Sequence, residues 1–298
     1  MHKLSQRQWI VLVVLTIVWG INWPIMKMGV QDFPALTFRA ISSSMGLPVL
    51  ALVLVALKVP FAVPRANWRE LFWLAMFNMI LWHGLIILAV AALSSGRAAI
   101  LGYTMPIFSA ILGALVFGNK LSARAWGGVA AALLGVVLLL WHELTALSGR
   151  PLGVLMALTA AAFWALGTHK LRRTTLKVPT LTIVFWMTAA TTLSMVLAAL
   201  VFDQGRWKAP SPTNWFGILF NASLIYGFSQ AAWFYLARSL PPVASTLSVM
   251  FIPVLGVLSG AWWLHETLHW QDWAAVALMA VAIASVLLPQ RVRATQSA

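Results

Sequence analysis

The sequence predicts an all-α membrane protein with ten transmembrane helices arranged as two inverted five-helix repeats. Of its 298 residues, 61% are hydrophobic and 9% are charged, whereas soluble domains carry roughly 25% charged residues. This composition indicates a chain that lies in a bilayer. Because about 20 apolar residues cross a membrane, the chain is long enough for about ten spans with short connections. The absence of cysteine excludes disulfides and thiolate metal sites.

Charged residues, Pro and Gly mark the breaks between the predicted spans. The first apolar run follows a basic start, but no small-residue cleavage site comes after it, so we expect a retained helix rather than a signal peptide. The predicted spans are residues 9–30, 33–57, 68–91, 95–117, 123–140, 152–170, 180–202, 214–237, 241–264 and 270–288.

An internal repeat relates the two halves of the chain. Residues 98–140 recur as 245–287, a shift of 147, with eight identities over 43 positions that include Pro106 on Pro253. A weaker match at a shift of 145 places Trp19 on Trp164. Such duplication indicates one unit used twice. We therefore predict a first five-helix repeat at 1–141, a linker at 142–151 and a second repeat at 152–298.

Lys and Arg are distributed unequally between the two predicted sides of the membrane. One side carries 14 of them, the other carries five, and Arg39 lies within a span. The positive-inside rule then places both termini of this multi-pass membrane protein in the cytoplasm. The net charge of +14 is thus an orientation signal and requires no nucleic-acid partner. Since five spans are an odd number, the second repeat enters from the opposite side, which is a recurrent architecture of transporters.

Several short motifs carry a family resemblance that covers about 9–288. The first repeat contains the run Trp19-Gly20-Ile21-Asn22 and then Pro34 and Arg39, and the second contains Glu266-Thr267-Leu268. Together with ten spans in two halves, they resemble the EamA branch of the drug/metabolite transporter superfamily, and within it the aromatic amino-acid exporters of the YddG type. The resemblance implies a basket of helices around a central cavity and export of amino acids or similar metabolites. The chain departs from it at Asn119-Lys120, where the first repeat usually carries Gly-Glu.

Polar and aromatic side chains within spans must face protein or water, and they supply the candidate site. Tyr226, Ser229, Gln230 and Trp233 fall on one helical face of span 8. These groups either line a cavity or join helices by hydrogen bonds. The candidate substrate-binding residues are Trp19, Asn22, Asn78, His83, Tyr103, Trp164, His169, Tyr226, Gln230, Ser245 and Ser248.

Two cations lie within or near the end of spans, Arg39 in span 2 and Lys27 in span 1. Each side chain either bridges helices through backbone carbonyls or reaches the membrane interface. For Arg39, a third alternative is that the guanidinium binds a substrate carboxylate. Pro24 and Pro106 supply no amide hydrogen, so the carbonyls of Gly20 and Gly102 are open to a substrate ammonium. Pro24 alternatively does no more than kink the first span.

Tryptophans divide into two groups by depth. Eleven of the 17 fall at predicted span ends and are typical of an aromatic belt at the membrane interface. The belt candidates are Trp9, Trp68, Trp73, Trp126, Trp141, Trp207, Trp215, Trp262, Trp263, Trp270 and Trp273. Six lie deeper, where an indole can stack on an aromatic substrate or hold a cation on its face. The deeper six are Trp19, Trp23, Trp82, Trp164, Trp186 and Trp233.

The six acidic residues all fall at predicted span ends or in loops. A mid-membrane relay of carboxylates, which is common in proton-driven carriers, therefore cannot form. Proton coupling would have to use His83 or His169. Without it, transport is facilitated and downhill, which is the alternative that we favour.

One motif indicates a different class of protein. Residues 265–269 spell H-E-x-x-H, with His265, Glu266 and His269 in the positions of a zinc peptidase. Such a site needs both histidines on one helix and a third ligand. Here the motif straddles a predicted helix break, so an intramembrane metallopeptidase is the lesser alternative. A carrier of nucleotide-sugars within the same superfamily is a further alternative.

The sequence thus predicts a transporter rather than an enzyme, with no cofactor and no metal. Its partners would be a small-molecule substrate, such as an amino acid, and membrane lipid. We expect a monomer or a loose homodimer.

Overall fold

The structure is a computed structural model that describes residues 5–118, 121–145, 150–237 and 242–287. Throughout these ranges the regular structure is helical and no strand is present. The predicted all-α class is therefore confirmed. We call 5–145 the first half and 150–287 the second half.

The chain forms thirteen α-helices within the described ranges, together with one 3₁₀ turn and two π-helical segments. The helices of the first half are α1 (Gln6–Val30), α2 (Ala35–Ala56), α3 (Trp68–Ala75), α4 (Leu81–Ala92), α5 (Ser95–Gly102), α6 (Met105–Leu115) and α7 (Ala123–Thr145). Those of the second half are α8 (Pro151–Arg172), α9 (Thr180–Phe202), α10 (Pro212–Phe220), α11 (Gln230–Ala237), α12 (Pro242–Leu264) and α13 (Trp270–Leu287). The 3₁₀ turn is Arg65–Asn67, before α3.

Seven helical stretches in the described part of the chain are long and apolar enough to cross a membrane. Five of them are the single helices α1, α2, α7, α8 and α9, and two are composite, Arg65–Ala92 and Ser95–Leu115. Two shorter apolar helices, Met250–Leu264 and Trp270–Val286, follow. The chain is thus a multi-pass membrane protein, and the count of ten spans stays a prediction.

The two π-segments occupy corresponding places in the two halves. The first, Met76–Ile80, joins α3 to α4, and the second, Asn221–Ser229, joins α10 to α11. Shifting the first by 147 positions gives 223–227, which lies inside the second. A π-helix bonds residues five apart; it is rare, and it is frequently found at functional sites. Both segments therefore mark the third span of each half as a place where regular helix geometry is set aside.

The two predicted groups of tryptophans differ in exposure. All eleven belt candidates are exposed, with Trp262 the most exposed at 75%. The six deeper tryptophans are buried or half-buried. Large aliphatic side chains such as Leu52 and Leu193 are also exposed on the outer faces of the helices, where they would contact lipid tails.

The two halves pack along each other rather than forming separate bodies. In particular, α1 packs on α12, α2 on α9, α4 on α8 and α7 on α13. Each of these four contacts joins a helix of the first half to a helix of the second. Side chains in the middle of the bundle are therefore contributed by both halves.

Candidate functional site

Four aromatic side chains converge at the centre of the bundle, around Gly102. Trp82 and Trp164 lie 5.3 Å apart between ring centroids, and Trp23 meets Tyr103 edge-on at 6.1 Å. A methyl group added at Gly102 would lie 2.7 Å from the Trp23 ring and 3.4 Å from the Trp82 ring. The absence of a side chain there lets both indoles approach. We call Trp23, Trp82, Tyr103 and Trp164 the aromatic cluster; it draws on α1, α4, α5 and α8.

Pro106 explains the position of Tyr103. Proline donates no backbone hydrogen bond and its ring crowds the carbonyl of the preceding turn, so it kinks or breaks a helix. The fourth predicted span is accordingly divided, with α5 ending at Gly102 and α6 beginning at Met105. Tyr103 is the C-cap of α5, and its backbone N–H donates to the Ala99 carbonyl at 3.0 Å. The proline thus breaks the helix rather than kinking it, whereas Pro24 and Pro253 lie inside continuous helices.

A polar cluster surrounds Arg39, which is 2% exposed. Its Nη1 donates to the Asn221 side-chain oxygen at 3.3 Å, and its Nη2 lies 3.0 Å from the sulfur of Met26. The rings of His83 and Tyr226 lie 5.5 Å apart, and both side chains interact electrostatically with the guanidinium. We call Arg39, His83, Asn221 and Tyr226 the polar cluster. Among the described residues, no carboxylate lies within ion-pair distance of Arg39.

Several polar atoms in and beside this cluster lack a hydrogen-bond partner within the described chain. They are Arg39 Nε, His83 Nδ1, the Tyr226 hydroxyl and the side-chain oxygen of Asn22. Asn22 lies one helical turn from Met26, on the same face of α1. Buried polar groups in proteins are normally paired, and unpaired ones call for an explanation. A concentration of them beside a buried cation indicates a site that receives polar groups from outside the chain.

The aromatic cluster and the polar cluster adjoin each other. Asn22 precedes Trp23 on α1, and Trp82 precedes His83 on α4. The same two helices therefore present aromatic groups to one side and polar groups to the next. Both halves contribute, since Trp164 and Tyr226 come from the second half. The arrangement is apolar at one end and hydrogen-bonding at the other, which is the usual character of small-molecule sites.

Four of the sequence-predicted residues lie away from these clusters. Lys27 donates to the Ala91 carbonyl at 2.9 Å, and so stabilises the C-terminal end of α4. Its bridging role was one of the two expected. Trp19, midway along α1, packs on Trp233 at 5.5 Å, and it contacts both a small apolar cluster around Leu15 and the edge of the main core.

His169 and Asn78 instead join helices. The Nε2 of His169 lies 2.8 Å from the Ser109 carbonyl, and its ring stacks on Phe117. Asn78 donates to the Thr168 hydroxyl at 3.4 Å. Ser245 and Ser248 belong to α12, but their side chains lie outside the described part of the structure, as do Asn119 and Lys120.

The expected stripe on span 8 is altered by the second π-segment. Tyr226 and Ser229 lie in that segment, whereas Gln230 and Trp233 lie in α11, so an α-helical period does not relate all four. The π-geometry instead brings Asn221 and Tyr226, five residues apart, to successive turns. Asn221 was absent from the sequence-based set for this reason. Trp82 was noted as a deep tryptophan without being assigned to the site.

The H-E-x-x-H residues do not form a metal site. Residues 265–269 are non-helical, so the two histidines do not share a helix face. Glu266 accepts hydrogen bonds from the backbone N–H of Ser95 at 2.6 Å and of Gly96 at 3.3 Å, which engages it at the start of α5. Within the described ranges no group of three or more His, Asp or Glu could hold a metal ion. The metallopeptidase alternative is therefore wrong.

The end of the bundle that contains Glu266 is tied across the two halves. Besides the Glu266 contacts, Arg97 on α5 pairs with Asp272 on α13. In the loop after α1, the Asn214 side chain donates to Asp32 at 3.0 Å and Lys208 lies nearby, and both hold the pKa of Asp32 below its usual value. We call this the Asp272 end.

An apolar groove of about 300 Å³ lies elsewhere, between α2 and α9. Residues such as Ile41, Met45 and Leu200 line it, and it is separate from the aromatic and polar clusters. Its exposure beside the outer face of the bundle suits a lipid tail better than a polar metabolite.

Comparison with known proteins gives consistent results over nearly the whole chain. The model of the EamA-like transporter family matches residues 7–141 and again residues 151–288. The uncharacterized inner membrane transporter YedA of Escherichia coli (strain K12) is 27% identical over 280 residues, which cover 93% of this chain and 89% of YedA. The uncharacterized transporter YoaV of Bacillus subtilis (strain 168) is 22% identical over 259 residues, which cover 86% of this chain and 88% of YoaV.

A probable amino-acid metabolite efflux pump of Escherichia coli (strain K12) is 23% identical over 283 residues, covering 89% of each chain. A crystal structure with 19% sequence identity has the same fold, with a TM-score of 0.65, and covers 94% of this chain and 99% of that one. The two matched segments, the apolar helices and the transporter relatives agree with the resemblance seen in the sequence. The protein is a membrane transporter rather than an enzyme, and it belongs to the EamA-like transporter family.

Proposed function

We propose that this protein exports amino acids, including aromatic ones, and similar metabolites from the bacterial cytoplasm by alternating access. In this proposal ten spans form two inverted halves, 1–141 and 152–298, joined by the linker 142–151, with both termini in the cytoplasm. Substrate binds between the halves at the centre of the bundle. One half moves against the other to expose the site to either side of the inner membrane.

The observation that carries the proposal is the adjacency of the aromatic and polar clusters. A zwitterionic aromatic metabolite needs an apolar wall for its ring and hydrogen-bonding groups for its polar end. Trp82 and Trp164 supply a wall made by both halves, and Arg39 with His83 and Tyr226 supplies the polar end. Both π-segments lie beside this region, one preceding His83 and one containing Tyr226.

The relatives support the same class of substrate. Two of them, at 23% identity, are named as probable amino-acid metabolite efflux pumps. A nucleotide-sugar carrier would need several cations to neutralise two phosphates. In the described centre of this bundle, Arg39 is a single buried cation, and Lys27 is engaged at the end of α4.

Counterflow in proteoliposomes tests the proposal. Vesicles loaded with unlabelled Phe, Thr or a nucleotide-sugar are diluted into the same labelled compound, with protein-free vesicles as the reference. We expect uptake of labelled Phe and Thr and none of the nucleotide-sugar. Absence of flux for every amino acid would refute the proposal, and nucleotide-sugar flux alone would replace it.

A further inference from the structure

We infer that the polar cluster is a binding site for a carboxylate group, and that the substrates extend to aromatic monocarboxylates that carry no amino group. This inference rests on the proposed central site and narrows its chemistry. It predicts that the carboxylate is the indispensable polar group of the substrate and that the ammonium is not.

The first step of the argument concerns charge. Arginine side chains stay charged in proteins, and a charge buried within a membrane span needs a partner of opposite charge or a polar environment. Its described neighbours are the Asn221 amide oxygen, the Met26 thioether sulfur and the Tyr226 hydroxyl, and none of them supplies negative charge. A carboxylate from the substrate would complete the pair, and the fork of the guanidinium matches the two carboxylate oxygens.

The second step concerns hydrogen-bond donors. Arg39 Nε and the Tyr226 hydroxyl are both donors that have no partner within the described chain. His83 Nδ1 is also unpaired and donates in one of its tautomers. A carboxylate offers about four acceptor positions on its two oxygens. One ligand group of this kind therefore carries enough acceptors for all three protein groups.

The third step concerns the missing partner for an ammonium. The described acids are engaged near helix ends: Glu70 with Thr174, Asp203 with Thr37, Glu266 with Ser95, Asp272 with Arg97, and Asp32 with Asn214. Glu143, whose side chain is not described, belongs to the last turn of α7. The described centre thus offers an ammonium neutral carbonyls and indole faces, whereas it offers a carboxylate a full positive charge.

The fourth step places the rest of the ligand. Because Asn22 and His83 adjoin Trp23 and Trp82 in the chain, a carboxylate at Arg39 leaves the remainder of a small molecule next to the aromatic cluster. In an aromatic amino acid a short carbon chain joins the ring to the carboxylate, which matches the order of the two clusters. Arylacetates, arylpropionates and aromatic 2-oxo acids share that chemistry with aromatic amino acids.

The test uses a matched series built on one ring. 3-Phenylpropionate is Phe without its amine, and phenethylamine is Phe without its carboxylate. In competition against labelled Phe counterflow, we expect 3-phenylpropionate to inhibit within about tenfold of the concentration that Phe requires. Phenethylamine should need at least about 100-fold more, because it leaves buried donors unpaired. Equal inhibition by the amine and the acid would overturn the inference while leaving amino-acid transport intact.

Substitution at Arg39 assigns the effect to this cluster. R39Q should abolish the preference for 3-phenylpropionate over phenethylamine, and R39K should retain part of it because it keeps the charge. The matched control is K27Q, which removes a cation engaged at a backbone carbonyl and should leave the preference unchanged. A preserved preference in folded R39Q would place the carboxylate elsewhere and refute the assignment.

Direct binding keeps the inference testable if R39Q does not fold or if Phe flux is absent. The melting temperature of purified wild-type protein in detergent is measured with each of the three compounds. Stabilisation by 3-phenylpropionate and none by phenethylamine supports the carboxylate site even where Phe counterflow fails and the proposed amino-acid transport is thereby refuted. Stabilisation by the amine alone, or by neither compound, refutes it.

Discussion

Asp272 and Arg97 form a buried ion pair that joins the two halves of the transporter. The Asp272 Oδ1 lies 2.7 Å from Arg97 Nε, and its Oδ2 lies 3.2 Å from Nη2. The side chains are 4% and 11% exposed. Asp272 also accepts the backbone N–H of His269 at 2.8 Å, so one carboxylate fixes the start of α13 and holds α5 against it. The pair therefore links the capping of α13 to the packing of the two halves against each other.

Replacing one member of this ion pair should destabilise the protein more per substitution than replacing both members together. R97Q alone leaves the buried Asp272 carboxylate without its cation, which costs about 3–5 kcal/mol, and D272N alone removes the negative charge that faces the Arg97 guanidinium. The double variant R97Q/D272N leaves neither charge, so its loss should be smaller than the sum of the two. Melting temperatures of the four proteins in detergent measure this coupling. K208Q serves as the control, because Lys208 and Asp32 are 51% and 58% exposed in their pair, which should contribute about 0–1 kcal/mol. Additive losses would show that the two side chains act independently.

At the Asp272 end, Glu266 also joins the halves through its hydrogen bonds to the start of α5, and Gly260 leaves room for this contact. We predict that G260A weakens it. A methyl group there would lie 2.6 Å from the Glu266 Oε2 and would also meet the Ser95 hydroxyl. Glu266 would have to leave the start of α5. Weakening the closed state by about 1.4 kcal/mol would increase the open population about tenfold. Under the proposed alternating access, such a shift is measured as greater access to the seam between α5 and α12.

Cysteine labelling measures that access without background, because the chain contains no cysteine. Val257 is 1% exposed and packs against Gly96 in the seam, so V257C reports its opening. We expect V257C/G260A to react severalfold faster with a water-soluble maleimide than V257C alone. The control protein is V257C/G127A, which adds a methyl group at a glycine with open space around it. Equal labelling rates in the three proteins would mean that Gly260 does not govern closure.

Much of this arrangement follows from the sequence, and the remainder depends on geometry that periodicity does not encode. Hydropathy locates helices because a span through lipid requires a long apolar run. Position along the predicted span separates the exposed Trp262, near a span end, from the half-buried Trp164. Partners are not visible in the same way. Glu266 reads as part of a zinc motif, yet its partners are the backbone N–H groups of Ser95 and Gly96, which leave no mark in the sequence.

The polar cluster shows the same boundary. Arg39 and Tyr226 were expected to matter because polar groups in spans are costly. Asn221 was missed because a helical period of 3.6 places it off the face of Tyr226, whereas the second π-segment brings the two together. A π-segment has no simple residue signature. Its presence at the matching place in both halves suggests that the duplication could have been used to find it.

Transport should proceed downhill, without coupling to protons. The described carboxylates are engaged near helix ends, and His169 is occupied with Ser109 between α6 and α8. In proteoliposomes, an imposed pH gradient of either sign should leave Phe uptake at the level set by the Phe gradient. Accumulation against that gradient, abolished by a protonophore, would contradict this prediction. In that case H83Q and H169Q, compared under the same gradient, would identify which histidine carries the proton.

Trp164 should determine the preference for aromatic substrates. Its ring faces Trp82 across the two halves at 5.3 Å, so W164A removes one side of the wall next to the polar cluster. Stacking on an aromatic ring is worth about 0.5–1.5 kcal/mol beyond the area buried, so the concentration of Phe for half-maximal counterflow should rise at least about threefold to tenfold. W164F should restore most of the affinity, because a phenyl ring keeps the stacking surface. Y103A should act in the same direction, since Tyr103 supports Trp23 edge-on.

The matched measurement is Thr counterflow, because Thr has the same amino-acid head and no ring. W164A should leave Thr transport near that of the wild type while Phe transport falls, and the folded yield should stay normal. W262A is the control substitution, since Trp262 is 75% exposed and belongs to the interfacial belt. If W164A lowers Phe and Thr transport equally together with the folded yield, Trp164 holds α8 against α4 by packing. The substrate preference must then come from the remaining aromatic groups around Gly102, beginning with Trp23.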